Sequence, residues 1–232
     1  MCPAVRRVVA TVVLALVPTV SLAGPGKFSS YGFPRTWANP RLSYSWIGTV
    51  PKELSAGQVS DIVTRSFDAW SAKQLRGSLF EFRFEKTGVK PPTISNDLAG
   101  LTADVDILIV FTQDFKVFSP TKPGWLAVTY EPVEAPVILG RAVIFVDSLK
   151  RENNDARALR HVLQHEIGHA LGLEHSPLNW FDSDSPRPNP LPLQPIMTPI
   201  LRLVREPLHP DDRAWGATVS ENVSLPYAII SG

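Results

Sequence analysis

Apolar and polar residues alternate through Leu42, Tyr44 and Trp46, the period of a half-buried strand, and Pro51 ends the run. Ser55-Ala56-Gly57-Gln58 then has the form of a capping box, and Val59, Ile62, Val63, Ser66, Phe67 and Trp70 follow on one helical face. Such an aromatic stripe is read as core packing, with no cofactor attached to it. Phe80, Phe82 and Phe84 alternate with Glu81 and Arg83 in a second strand. Residues 105–111 are more continuously apolar, the pattern of a strand buried on both faces at the centre of a sheet. Gly124 to Tyr130 and Gly140 to Asp147 predict two further strands. Asn153-Asn154-Asp155 can start a long helix whose apolar side runs through Ala156, Leu159, Val162, Leu163, Ile167, Ala170 and Leu171. His209-Pro210-Asp211-Asp212 opens a final helix, with proline at its first position and two carboxylates in its first turn, and His209 is read as a cap residue. Strands and helices in this order make an α/β (α+β) chain.

Two segments stand apart from that pattern. Residues 1–23 have the layout of a cleaved signal peptide: basic Arg6-Arg7, an apolar run from Val8 to Val17, and small-residue Ser21-Leu22-Ala23 before Gly24. The apolar run is too short to span a bilayer, so the segment predicts export to a secreted or periplasmic location without a stable membrane anchor. Residues 24–40, rich in Gly, Pro and Ser, read as an N-terminal arm, which leaves 41–232 as a single domain. The lone cysteine, Cys2, lies in the signal, so no disulfide is expected in the exported chain. Without Arg6 and Arg7, 21 Lys and Arg face 22 Asp and Glu, a balance that offers no footprint for nucleic acid or an anionic membrane.

The chemistry is concentrated in His165-Glu166-Ile167-Gly168-His169-Ala170-Leu171-Gly172-Leu173-Glu174-His175, which spells H-E-x-x-H-x-x-G-x-x-H. On a helix, residues four apart share a face at about 6 Å, so His165 and His169 can hold one ion. A straight helix would carry the next turn away from that ion. Gly172 can take φ > 0 and end the helix, so that the chain doubles back and presents His175 to the same metal. Three neutral imidazoles on zinc leave one tetrahedral position for water, the pattern of a catalytic site. Glu166 is placed to take a proton from that water. His161, one turn before His165, is too far along the helix to replace a ligand and is given a place beside the metal site or on the plain surface.

This motif, Ser176 directly after its third histidine, and Pro195-Ile196-Met197-Thr198-Pro199 around the only methionine besides Met1 resemble the metzincin zinc proteases and, among them, the matrixins. The resemblance implies a metzincin-type fold: a twisted, mostly parallel sheet with an antiparallel edge strand, two long helices and a C-terminal helix. It implies one catalytic zinc on His165, His169 and His175, Glu166 as general base, and Met197 in a turn beneath the metal. A peptide or protein substrate would lie along residues 124–130 as an added strand, contacted by Leu126 and Ala127, with the Ala127 carbonyl near the scissile bond. A plain edge hairpin fits the same residues. Pro199 and Leu201 would stand in the wall of an S1′ pocket and favour an apolar P1′ side chain. The implied activity is that of a secreted zinc endopeptidase acting as a monomer; the rival is a non-catalytic secreted peptide-binding module on a protease fold.

The chain also departs from the family pattern. Matrixins hold a structural zinc and calcium ions with histidines and aspartates ahead of the active helix. Here no histidine precedes His161 and Val128 stands where the family places a ligand, so no structural zinc is expected. Asp147 remains of an acidic run, but Ser148, Leu149 and Lys150 do not make the usual calcium site. No cysteine follows the signal to act as a latency switch, and no accessory domain is expected. The Pro-rich stretch 177–195 lengthens the connection to Met197, either as one rim of the cleft or as a passive insertion.

Overall fold

The computed structural model of the chain describes residues 36–71, 82–87, 105–118, 125–130, 138–175, 196–197 and 212. Strands β1 (Thr36–Trp37) and β2 (Arg41–Gly48) precede helix α1 (Ala56–Ala69). Strands β3 (Arg83–Lys86) and β4 (Ile107–Thr112) follow, then a short helix α2 (Phe115–Phe118) and strands β5 (Ala127–Tyr130), β6 (Ile138–Leu139) and β7 (Ala142–Asp147). A single turn over Glu152–Asn154 leads into helix α3 (Ala156–Ala170). Five strands form one sheet in the order β3-β2-β4-β7-β5, parallel except for β5, which runs antiparallel to β7 at the edge. The described residues thus form the mostly parallel sheet, antiparallel edge and two long helices of an α/β fold.

Alternation within each strand divides the core. From β4, Ile107, Ile109 and Phe111 face the side on which α1 and α3 pack, where they meet Val59, Val63, Phe67, Leu159, Leu163 and Ile167. Leu108 and Val110 face the other side, with Val143, Phe145 and Phe115. Every residue of β4 is buried, and its sequence is apolar from Ile107 to Phe111 and polar at the terminal Thr112, as suits a strand at the centre. β2 ends at Gly48, whose φ of +99° and contact with the Phe111 carbonyl leave no room for a Cβ.

The capping box forms as the residues predict: Ser55 accepts from Gln58 N–H and the Gln58 side chain accepts from Ser55 N–H. At the other end Trp70 is fully buried and its Nε1 donates to the Gln164 carbonyl at 2.9 Å, tying α1 to α3. Asp106 accepts from both the N–H and the hydroxyl of Ser43, at 2.7 and 2.8 Å, and pins β4 to β2.

Strand limits differ at their starts. The second predicted strand begins at Arg83, with Phe82 buried just ahead of it and Phe80 outside the described residues. The last part of the N-terminal arm is built into the fold: β1 pairs in parallel with β6, and buried Trp37 donates Nε1–H to the Ala170 carbonyl at 3.0 Å. That carbonyl, at the C-terminal end of α3, has no partner within the helix. A two-residue strand is too short to show a period, so nothing in the pattern of residues 24–40 announces it. Of the C-terminal helix only Asp212 is described.

Candidate metal centre

α3 is started by Asp155, whose carboxylate accepts from Arg157 N–H and Ala158 N–H, both at 2.9 Å. Its end is a Schellman motif: Gly172 N–H bonds to the His169 carbonyl and Leu173 N–H to the Gly168 carbonyl, both at 3.0 Å. Gly172 has φ +98°, the left-handed conformation that this reversal needs. The chain then returns, and His175 meets His165 and His169.

The three Nε2 atoms form a near-equilateral triangle, with sides of 3.1 Å (His165 to His169), 3.2 Å (His165 to His175) and 3.1 Å (His169 to His175). Tetrahedral ligands at zinc–nitrogen distances of about 2.0–2.1 Å stand about 3.3 Å apart, so the spacing fits one zinc ion. The tautomers fit as well. His165 Nδ1 lies 2.8 Å from the Ile196 carbonyl and His169 Nδ1 lies 2.7 Å from the Leu173 carbonyl. A carbonyl only accepts, so each Nδ1 carries the proton and each Nε2 turns a lone pair to the common point. Burial pushes the His165 ring down to about 4, aided by His175 and His161 and opposed by the Ile196 carbonyl, so the ring is neutral at physiological pH. Among the described residues, these histidines are the group able to hold a metal ion.

Met197 is buried against the helix that carries His165 and His169. A Cβ on Gly168 would overlap the Met197 Sδ and press on Trp70 Cζ2 at 3.1 Å. Ile196, beside it, supplies the carbonyl that orients His165. The turn is held in place by Asp212, which is 2% exposed and whose carboxylate accepts from Ile196 N–H at 2.7 Å and Met197 N–H at 3.3 Å. Sequence reasoning missed this role, because a carboxylate in the first turn of a helix has a sufficient local explanation. It missed Gly168 too, although an isolated glycine inside a helical pattern is a signal of close packing.

Glu166 is 7% exposed on the sheet side of α3, and its Oε2 accepts from the Thr129 hydroxyl at 2.6 Å. Thr129 belongs to the edge strand, whose hydrogen-bond phase follows from one contact. Asp147 N–H donates to the Leu126 carbonyl at 3.0 Å, so Ala127 and Val146 form a non-hydrogen-bonded pair, and Ala127 and Thr129 turn their N–H and C=O away from β7. Among the described residues no strand pairs with that side. The Leu126 carbonyl faces inward and accepts a second bond, from the Asn153 amide at 3.0 Å. Pro199 and Leu201 lie outside the described residues.

His161 is not a surface residue. It is 6% exposed, and burial pushes its ring down to about 4.

Among the described residues, no helix is long and apolar enough to cross a membrane. A family model described as Matrixin matches residues 36–179. Matrix metalloproteinase-16 of Homo sapiens is 31% identical over 146 residues, covering 60% of this chain and 22% of the relative, and that of Mus musculus matches at the same identity and coverage. The protein of the same name from Rattus norvegicus is 32% identical over 146 residues. The chain spans about a fifth of the length of these curated relatives. The matched segment runs from β1 through all five strands of the main sheet and all three clustered histidines, and on that match the chain belongs to the matrixin family.

Proposed function

We propose that the chain is an exported zinc-dependent endopeptidase with Glu166 as its general base. The observation that carries this reading is the triangle of Nε2 atoms at 3.1–3.2 Å, two of them set in the ligand tautomer by backbone carbonyls, beside a buried carboxylate. Zinc held there would supply Lewis acidity to the scissile carbonyl and to the attacking water. His165, His169 and His175 bind the ion. Glu166 takes a proton from the water as its oxygen bonds to the carbonyl carbon, and returns a proton to the amine nitrogen as the C–N bond breaks.

An extended peptide adds to β5 as a further strand, paired with the outward N–H and C=O of Ala127, while Leu126 supports the strand from within. Backbone pairing of this kind accepts many sequences, so selectivity falls to side-chain pockets. We assign the P1′ pocket wall to Pro199 and Leu201, with preference for an apolar side chain. Residues 1–23 direct export and are removed.

The test is zinc content and cleavage of unfolded casein by the purified chain, with and without a chelator, beside Glu166→Ala. One zinc per chain with chelator-sensitive cutting that Glu166→Ala abolishes while keeping the metal is the expected outcome. Full zinc without cutting in the parent would favour a peptide-binding module, and cutting by Glu166→Ala would remove that residue from the mechanism.

A further inference from the structure

We propose that Thr129 is a positioning residue for the reaction: its hydroxyl, donated to Glu166 Oε2, holds the carboxylate in the orientation from which it takes the proton of the attacking water. The inference rests on the reading of Glu166 as the base.

Three observations lead to it. The first is placement. Val128 and Tyr130 pack with Phe145 on the sheet face away from α3, so alternation along β5 turns Ala127 and Thr129 toward α3. The second is the choice of acceptor. The hydroxyl has one proton and two acceptors on the same residue, Glu166 Oε2 at 2.6 Å and the Glu166 main-chain oxygen at 3.1 Å. The shorter, charge-assisted bond takes the proton, since a mid-helix carbonyl already accepts from the N–H four residues on. The third is that the strand supplying the hydroxyl is itself fixed. Its start is bound by Asp147 N–H and by the Asn153 amide, both on the Leu126 carbonyl at 3.0 Å.

A glutamate on a helix has three side-chain torsions, and their freedom has to be removed before its carboxylate can serve one geometry. A hydroxyl carried by a sheet strand does this from outside the helix. Both acceptors of that hydroxyl belong to Glu166 and neither to a histidine of the cluster. Packing alone does not account for a threonine here, because valine has the same shape and suits a half-buried strand as well. What valine lacks is the donor.

The experiment compares Thr129→Val and Thr129→Ser in the zinc-loaded full chain, with Glu166→Ala as control. Substrates are unfolded casein and a quenched fluorogenic peptide with leucine at P1′. Loss of one hydrogen bond to a charged group should lower kcat about tenfold in Thr129→Val, with KM within about twofold. Thr129→Ser should recover kcat to within about threefold, and zinc per chain should stay at the parent value in both. In urea unfolding, Thr129→Val should shift the midpoint less when Glu166 is already alanine than in the parent, as expected for two groups in contact. A packing role predicts the reverse order, with valine at least as active as serine, and would overturn the proposal. So would a raised KM with unchanged kcat, which would make Thr129 a substrate-binding residue, or a urea shift indifferent to Glu166. Should Thr129→Val fail to fold, Thr129→Ala is compared with Thr129→Ser under the same criteria. A parent that cuts neither substrate, or a Glu166→Ala chain that cuts like the parent, would remove the assignment of Glu166 and the proposal with it. An inactive Glu166→Ala beside a fully active Thr129→Val would remove the proposal alone.

Discussion

Gly168→Ala sets two effects of opposite sign against each other. Alanine is favoured over glycine in a helix interior by about 1 kcal/mol. The added Cβ, however, would overlap Met197 Sδ and lie 3.2 Å from Met197 Cε and 3.1 Å from Trp70 Cζ2. Met197 offers the flexible end of its side chain, but both neighbours are buried and can give only against what packs behind them. Met197 is 2% exposed, on a turn whose N–H groups are bound by Asp212, and Trp70 is fully buried with its Nε1 on the Gln164 carbonyl. Overpacking costs about 1–3 kcal/mol, and two buried neighbours place this site at the upper end. The net expectation is a loss of about 2 kcal/mol, read as a fall of roughly 1 M in the urea midpoint. A second effect follows from chain continuity. Pushing Met197 away moves Ile196, whose carbonyl orients His165, and loss of such support lowers metal affinity by about 10–100-fold. Urea unfolding and zinc competition against a chelator measure the two. Adding Met197→Ala opens the space again, so the double variant should lose less than the sum of the singles. A Gly168→Ala protein that is more stable than the parent and binds zinc equally would refute the argument.

Asp212→Ala should destabilise the chain by about 2–4 kcal/mol, because it strands two buried N–H donors, and should weaken zinc binding through the same Ile196 carbonyl. Asp212→Asn keeps one acceptor oxygen and should fall between alanine and the parent in both chelator competition and urea unfolding; equal values for all three would remove Asp212 from the support of the turn. His161, with its ring held down to about 4 by burial, should make the fold acid-sensitive. The unfolded chain takes up a proton as pH falls through about 6.5 and the folded chain does so only near 4, so this contribution is complete above pH 6.5 and lost as pH falls to 4, for about 3 kcal/mol in all. Urea midpoints of His161→Gln should therefore fall less steeply than those of the parent between pH 6.5 and 4, and parallel curves would contradict the reading.

Much of the fold is legible in the residues because each element is set by a local pattern. The capping box at Ser55, the alternation of Leu42 and Tyr44, and the apolar run from Ile107 to Phe111 in β4 each state one local requirement and are met as stated. The three histidines are legible for the same reason, since four-residue spacing and a glycine at the helix end are short-range geometry. Contacts between distant segments are different. Asn153, Asn154 and Asp155 look equivalent as helix starters, since each carries an oxygen that can accept from N–H groups, and it is Asp155 that caps α3. Asn153 instead bridges the Leu126 and Asp147 carbonyls, which takes an amide donor that a carboxylate lacks. Thr129 is ordinary as a strand residue. Its partner appears only when α3 is laid across β5, a packing that no local period encodes.

These long-range contacts fall into two sets that act on different parts of the site. Gly168, Met197, Ile196 and Asp212 form a chain of contacts that ends on the imidazole of His165, while Gly172 and the Leu173 carbonyl do the same for His169. The contacts described for Glu166 run instead to β5 through Thr129, and β5 is held by β7 and Asn153. A helix bearing two histidines and a glutamate is therefore insufficient by itself: the imidazoles of His165 and His169 are bonded by the chain that follows the helix, and the Glu166 carboxylate by a strand that precedes it. Metal binding and turnover should accordingly separate under mutation. Changes at Gly168 or Asp212 should lower zinc affinity first and activity only as a consequence, restored by excess zinc. Changes at Thr129 should lower turnover with the metal still in place, and no excess of zinc should restore it.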